Sequence, residues 1–369
     1  MLFLRFSIAA LALGLMGGAI ALAADEAQPA PPAKDGNAVL VVVNGQDVNR
    51  EALVDILMKR YGEEELQQLI LDVMVRQAAD KNGVAVTQKE MDEAIDREVQ
   101  RLIDQEKQQI LQQYGGVITW EQYLKETGTS ETASRESRRK DILSQPDSDS
   151  LVWRSVASSK LAWLDYLTRD RYEVSHVLVE TEAEAKDAIK TLNDGKAFDE
   201  VAKARSKDPY ARYTGGKLAM AFSAGDYKIR PDVPGPEFER VAMSLKAGEI
   251  SAPVQSNDGW HVIKLLKKED AEPGNFKDLE PEVNKMLLDP RTNGVTQVYM
   301  WRLIRDSKIE NKSEFKLKMF EQLKEREKSL ATPEKPAETP AETPAEDNKP
   351  EGGEGGTVPA APEGSGATD

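Results

Sequence analysis

The chain has 369 residues, with 49 Lys and Arg against 64 Asp and Glu and a formal charge of -15, so it is long enough for two ordinary domains plus tails. The charge excludes nucleic acid as a partner, since phosphate would be repelled overall, and from Thr332 onward nine acidic and two basic residues supply -7 of the -15. The absence of cysteine removes disulfides, thiolate nucleophiles and zinc-thiolate sites, and it fits an exported chain that avoids thiol oxidation.

Residues 1–24 read as a secretory signal, with one positive charge at Arg5, an apolar run from Ile8 to Ile20 and small residues at Ala21-Leu22-Ala23 for cleavage. The alternative is an uncleaved anchor, because the apolar run approaches the ~20 residues that span a bilayer. Three glycines and the small-residue end favour cleavage. The expected location is therefore periplasmic or otherwise exported, with membrane contact only if the signal is kept. A chain without cysteine cannot be a lipoprotein. Residues 25–37 form a Pro/Ala-rich linker with no apolar period, expected to be disordered.

A run of mostly valine from Ala38 to Val43 ends in the tight-turn signal Asn44-Gly45. Asn49 is placed to cap a helix with Leu53, Ile56, Leu57 and Arg60 at helical spacing. A second helix is expected from Glu63 to the stop at Asn82-Gly83. The capping box Thr87-Gln88-Lys89-Glu90 opens a third, with Met91, Ile95, Val99, Leu102, Ile103 and Ile110 on one face. Trp120 to Thr127 is a short helix stopped by Gly128. Ile142 to Leu167 is mostly helical, with a break near 145–150.

The two histidines of the chain lie on short β-runs, Val174-Ser175-His176-Val177-Leu178-Val179 and Gly259-Trp260-His261-Val262-Ile263-Lys264-Leu265. Two imidazoles on strands, in a chain with no third, ask for a single site. Between them come a capping box at Thr181 to Glu184, a helix stop at Gly195, a helix from Phe198 to Arg205 and the turn Ser206-Lys207-Asp208-Pro209. Then follow Gly215-Gly216-Lys217-Leu218, a helix beginning near Pro236, and Gly248-Glu249-Ile250-Ser251-Ala252-Pro253-Val254.

Farther on, Asp278–Leu288 and Gly294–Asp306 are helical segments split at Asp289-Pro290. Residues 312–330 read as a charged, exposed helix end. Residues 332–369 repeat Pro-Ala-Glu and then turn Gly-rich, a low-complexity acidic tail.

That order of motifs from 171 to 269 resembles the parvulin family of peptidyl-prolyl cis/trans isomerases. Residues 38–170 resemble, in layout, the N-terminal chaperone domain of exported foldases such as SurA and PrsA. On periodicity alone an ordinary helical bundle fits those residues equally. The resemblance implies an α+β chain: a mostly helical chaperone body, completed by C-terminal helices within 275–330, with a parvulin domain and its small antiparallel sheet inserted between.

It also implies a site. His176 and His261 would sit back to back at the centre of the sheet, and Asp208 would face the X-Pro bond. Leu218, Met220, Phe222 and Phe238 would line an apolar slot for the proline ring. Each has a plainer reading, the histidines as ties across the sheet and Asp208 as a turn cap before Pro209. The turn Gly-Gly-Lys-Leu-Ala-Met-Ala-Phe departs from the family pattern, with Phe222 one position late and a longer proline-rich loop at 226–236. Active isomerase and catalytically inactive holdase therefore both stand as readings. Rotation about a peptide bond has a barrier of roughly 18–20 kcal/mol and needs no cofactor or metal, so none is expected. The expected partners are unfolded or extended client polypeptides. Glu180, Glu182 and Glu184, just after the first β-run, disfavour phosphorylated segments.

Overall fold

The computed structural model describes residues 38–331. The signal segment 1–24, the linker 25–37 and the acidic tail from 332 lie outside the described residues. The chain opens with a hairpin of β1 (Val39–Val43) and β2 (Gln46–Asn49), turned at Asn44-Gly45, where both residues take positive φ. It runs directly into α1 (Arg50–Asn82), a single helix about 50 Å long. The sequence suggested two helices meeting near Gly62. The chain continues because a helical glycine costs only about 1 kcal/mol, and because the gap is filled: a Cβ on Gly62 would lie 2.6 Å from Phe315 Cζ.

Helix α1 changes character along its length. Leu71, Met74, Val75, Ala78 and Ala79 are buried at helical spacing. Its first three turns and the hairpin are bare: Val39–Val43, Val48, Leu53, Val54, Ile56, Leu57, Met58 and Tyr61 are 41–59% exposed.

Four helices follow: α2 (Gln88–Tyr114), α3 (Trp120–Glu126), α4 (Glu131–Leu143) and α5 (Ser148–Leu167). The capping box forms at Thr87, and Glu90 also meets the buried Lys160 ammonium at 2.5 Å. Helix α4 is absent from the sequence reading because only its Ile142 is buried. It is held on α2 by ion pairs, Arg138 to Glu106 at 2.7 Å and Arg139 to Asp92 at 2.9 Å.

The sheet unit comprises β3 (Arg171–Val179), α6 (Glu182–Asn193), α7 (Phe198–Arg205), α8 (Pro209–Thr214), α9 (Pro236–Ser244), β4 (Val254–Ser256) and β5 (Gly259–Glu269). Its strands are antiparallel in the order β3-β5-β4. Strand periodicity sends Val177, Val179 and Val262 to one face, under α6 and α7. Val174, Ile263 and Leu265 go to the other, under α9.

Then come α10 (Phe276–Met286), α11 (Thr292–Asp306) and α12 (Lys318–Ala331). They share one apolar core with α1 and α5, through Phe276, Leu279, Val283, Val295, Tyr299, Met300, Ile304, Leu317 and Phe320. The helices before and after the sheet unit thus bury their faces together. The expectation of an exposed end at 312–330 fails at Leu317 and Phe320, which are 5% and 7% exposed. A charge-rich sequence hid the two anchors.

Candidate active site

His176 pairs with Ile263 and His261 pairs with Leu178 in the β3–β5 register, so the histidines are diagonal neighbours on one face. Their rings lie 5.5 Å apart with planes 25° from parallel. Phe238, from α9, meets both edge-on, at 5.7 Å and 5.3 Å between centroids. His176 is 3% exposed and His261 is 0% exposed, so their polar atoms need partners inside the protein.

The partners form one chain. Asp208 Oδ2 lies 3.1 Å from His176 Nε2, the two Nδ1 atoms lie 3.3 Å apart, and His261 Nε2 lies 2.7 Å from Ser256 Oγ. An ionised carboxylate only accepts, so the proton sits on His176 Nε2. With a single proton on that ring, its Nδ1 accepts from His261 Nδ1–H, and His261 Nε2 in turn accepts from the Ser256 hydroxyl. Ser256 Oγ accepts from the backbone N–H of Asp258 at 3.1 Å. Every donor points towards Asp208.

Burial and the neighbouring His176 pull the pKa of His261 from 6.5 to about 3, which keeps the ring neutral. The hydrogen bond from His176 holds the Asp208 carboxyl below its ordinary range. Asp208 serves twice, because its Oδ1 accepts from Tyr210 N–H at 2.9 Å as the N-cap of α8. Asp208 thus bonds His176 through one oxygen and caps α8 through the other.

The glycine turn is set by backbone proximity. His176 N–H donates to Gly216 O at 2.8 Å, and Gly216 has φ +90° with His176 O 2.7 Å from where a Cβ would stand. Beyond it, Leu218 N–H bonds to Val174 O and Phe222 pairs with Tyr172 in both directions. Two positions separate 172 from 174 on β3, whereas four separate 218 from 222. The surplus residues leave the sheet.

A family model for a PPIC-type peptidyl-prolyl isomerase (rotamase) domain matches residues 173–267. Foldase protein PrsA 2 of Bacillus anthracis is 30% identical over 264 residues, covering 70% of this chain and 79% of that protein. Foldase protein PrsA of Halalkalibacterium halodurans is 30% identical over 273 residues, covering 71% and 73%. The chain belongs to the PrsA foldase family. A crystal structure of the peptidylprolyl isomerase PrsA from B. anthracis is 26% identical, covering 67% of this chain and 100% of that one, with a TM-score of 0.26. By its family and its matched domain the chain is a foldase with a peptidyl-prolyl isomerase domain, and both histidines lie in that domain.

Within this PrsA-family site the structure gathers His176, His261, Asp208 and Phe238 in direct contact. Leu218 and Phe222 join Phe238 in the apolar cluster below, at 5%, 0% and 0% exposed, and Phe222 stacks on Tyr172. Met220 does not join them. It is one of the looped-out residues and packs on the helical core, where a Cβ on Gly294 would meet its Sδ at 2.8 Å. In its stead Tyr227 packs half-buried against the cluster of Leu218, Phe222 and Phe238. Tyr227 and Ser256 are the residues that sequence reasoning missed. For Ser256 a signal existed, since Ser-Asn-Asp-Gly just before the β-run of His261 marks a hairpin that returns the serine to its side. Among the described residues no set of three or more His, Asp or Glu is gathered as a metal site.

Proposed function

We propose that this chain is an exported foldase that holds extended segments of secreted or outer-membrane proteins on its helical body and isomerises X-Pro bonds at the His176–His261–Asp208 site. The carrying observation is the continuous hydrogen-bonded chain from Ser256 to Asp208 at the foot of a wall of Leu218, Phe222 and Phe238. A planar amide is polarised by conjugation, whereas the twisted transition state is less so. An apolar wall favours the less polar form, and a carboxylate beside the carbonyl oxygen disfavours the charge-separated planar form. Both lower the barrier by selective binding of the twisted state. His176 and His261, kept in fixed tautomers, orient Asp208 and donate nothing to solvent.

Phospho-specificity is not part of the reading. Glu180 is paired with Lys207 and Glu182 with Lys186, and Glu184 caps its own helix, so this edge offers no cation cluster to a phosphate. Client holding is supported by the bare hairpin and first turns of α1, an exposed apolar surface far larger than scattered single residues. Export is supported by the signal-like residues 1–24. No helix among the described residues is long and apolar enough to cross a membrane.

A second reading, an inactive holdase, is favoured by one observation: the slot residues are 5% exposed or less. A protease-coupled assay on a panel of X-Pro tetrapeptides separates the two. The isomerase reading expects acceleration of cis-to-trans exchange, lost in Asp208→Asn and His176→Ala variants that keep their circular dichroism. A folded parent that accelerates no peptide leaves the holdase reading in its place.

A further inference from the structure

The segment after Phe222 is tied to the rest of the chain by buried polar contacts. Asp226 is 1% exposed. Its Oδ1 accepts from Arg302 Nε at 3.0 Å and from Nη2 at 2.5 Å, and its Oδ2 accepts from the backbone of Ser223 at 3.0 Å. Arg302 belongs to α11, and its third nitrogen pairs with Asp165 on α5. One guanidinium, 7% exposed, thus joins a carboxylate of the isomerase domain to one of the helical body.

Further contacts reinforce the junction. Glu239 of α9 accepts from the N–H groups of Gly225 and Tyr227, at 2.7 Å and 3.2 Å. Arg326 of α12 donates to the carbonyls of Tyr227 and Arg230, at 3.0 Å and 2.7 Å. Arg230 returns to the carbonyls of the looped-out Met220 and Ala221, at 3.0 Å and 2.7 Å. The segment so held is the one that lays Tyr227 and Val233 against Leu218, Phe222 and Phe238. A buried charge network of this kind has two arrangements, made or broken, and is suited to fixing one conformation.

We propose that Arg302 is a positioning residue for the isomerase site: through Asp226 it fixes segment 223–233, and with it Tyr227 at the border of the apolar slot, so that the helical body sets how firmly a proline-bearing segment is held. The proposal rests on the isomerase reading above. Arg302 lies 35 positions beyond residue 267, where the family match ends, and makes no hydrogen bond or ion pair with His176, His261 or Asp208. Its effect therefore falls on substrate binding more than on the chemical step.

The test uses the full chain with Arg302→Lys, which keeps the charge but not the fork, and, if the single variant folds poorly, with the paired neutral variant Arg302→Met/Asp226→Asn, which removes the buried pair together while Asp165 keeps its salt bridge to Arg169 and Arg230 keeps Asp232. Amide hydrogen exchange at 223–233 reads the junction directly, and peptide isomerisation reads its consequence. The expected result is exchange at 223–233 at least tenfold faster, with 198–214 unchanged, together with KM raised threefold or more and kcat within twofold of wild type. Unchanged exchange overturns the proposal, as does faster exchange with unchanged KM, or a fall in kcat alone. A wild type that turns over no peptide sinks the isomerase reading instead. The proposal is then decided by exchange together with affinity for the same fluorescently labelled proline peptide, and an affinity within twofold of wild type overturns it.

Discussion

The direction of the hydrogen-bond chain makes acid sensitivity a measure of the site. His261 is fully buried and neutral, with its pKa near 3 against 6.5 for an unhindered imidazole. Between those values the unfolded chain binds a proton that the folded chain refuses, so stability falls as pH drops below about 6.5. At pH 5 the unfolded histidine is mostly charged and the folded one is not. Relative to pH 7.5 this costs about 2 kcal/mol, and the figure changes little if the folded pKa is a unit higher. Asp208 adds nothing in this window, because its depressed pKa places its own loss below 3.8. Glu239 acts in the opposite sense: burial raises its pKa above 4.5, so its contribution is present at low pH and lost as pH rises through the raised value. Its effect is common to both proteins compared below. Urea unfolding at pH 7.5 and 5.0, followed by tryptophan fluorescence, is compared between wild type and His261→Gln, in which the titrating ring is gone. The wild type loses about 2 kcal/mol more than the variant over that interval. Histidine-labelled protein, with only two imidazoles to observe, then reports the tautomers at pH 7.5: protonated Nδ1 on His261 and protonated Nε2 on His176. A difference below about 0.5 kcal/mol refutes the neutral, buried His261, and the opposite tautomers refute the assigned direction.

The remaining predictions follow from the same geometry. Ser256→Ala leaves buried His261 Nε2 without its donor, and lowers stability by about 1–3 kcal/mol in thermal or urea melts. Asp208→Asn retains a side chain able to cap α8 whereas Asp208→Ala does not, so the alanine variant should be less stable than the asparagine variant by about 1 kcal/mol, with isomerisation lost in both. Leu53→Glu/Leu57→Glu alters a surface that is 44–45% exposed. It should leave the melting curve almost unchanged, within about 0.5 kcal/mol per site, while weakening suppression of aggregation of an unfolded client. If suppression is unaffected, clients are held elsewhere.

The elements legible in the sequence are those whose signals are local. Thr87 with Glu90 and Thr181 with Glu184 are capping boxes in the structure, and Gly83 ends α1 in the left-handed conformation. His176 and His261 stand out by scarcity and by their β-runs, and the cap at Asp208 by the proline after it. What escaped the sequence depends on distant partners. The continuity of α1 through Gly62 is accommodated by Phe315, far along the chain. Helix α4 has almost no apolar face: Ile142 alone anchors it in the core with Ile95, Val99 and Ile103 of α2, and ion pairs with α2 line the rest. Met220 is expected in the slot from the family resemblance, as an apolar residue of the altered glycine turn close to Leu218 and Phe222. The pairing of 218 with 174 and of 222 with 172 instead loops out the residues between them.

The same contrast separates the site into a local and a non-local half. The hydrogen-bonded chain needs only β3, β4, β5 and the cap of α8, and its residues His176, Asp208, Ser256 and His261 all lie within the span of the family match. The proposed border of the slot needs more. The surplus residues 220 and 221 send Met220 into the helical core, their carbonyls are gathered by Arg230, and the loop that follows is pinned by Arg302 and Arg326 from helices that come after the sheet unit. A lengthened turn inside a small domain would ordinarily gain freedom. Here the extra length reaches a second body that fixes it, so the departure from the usual glycine-turn pattern and the buried arginine on α11 are two halves of one arrangement. The turn supplies the reach, and the helical body supplies the anchor that keeps Tyr227 against Leu218 and Phe238.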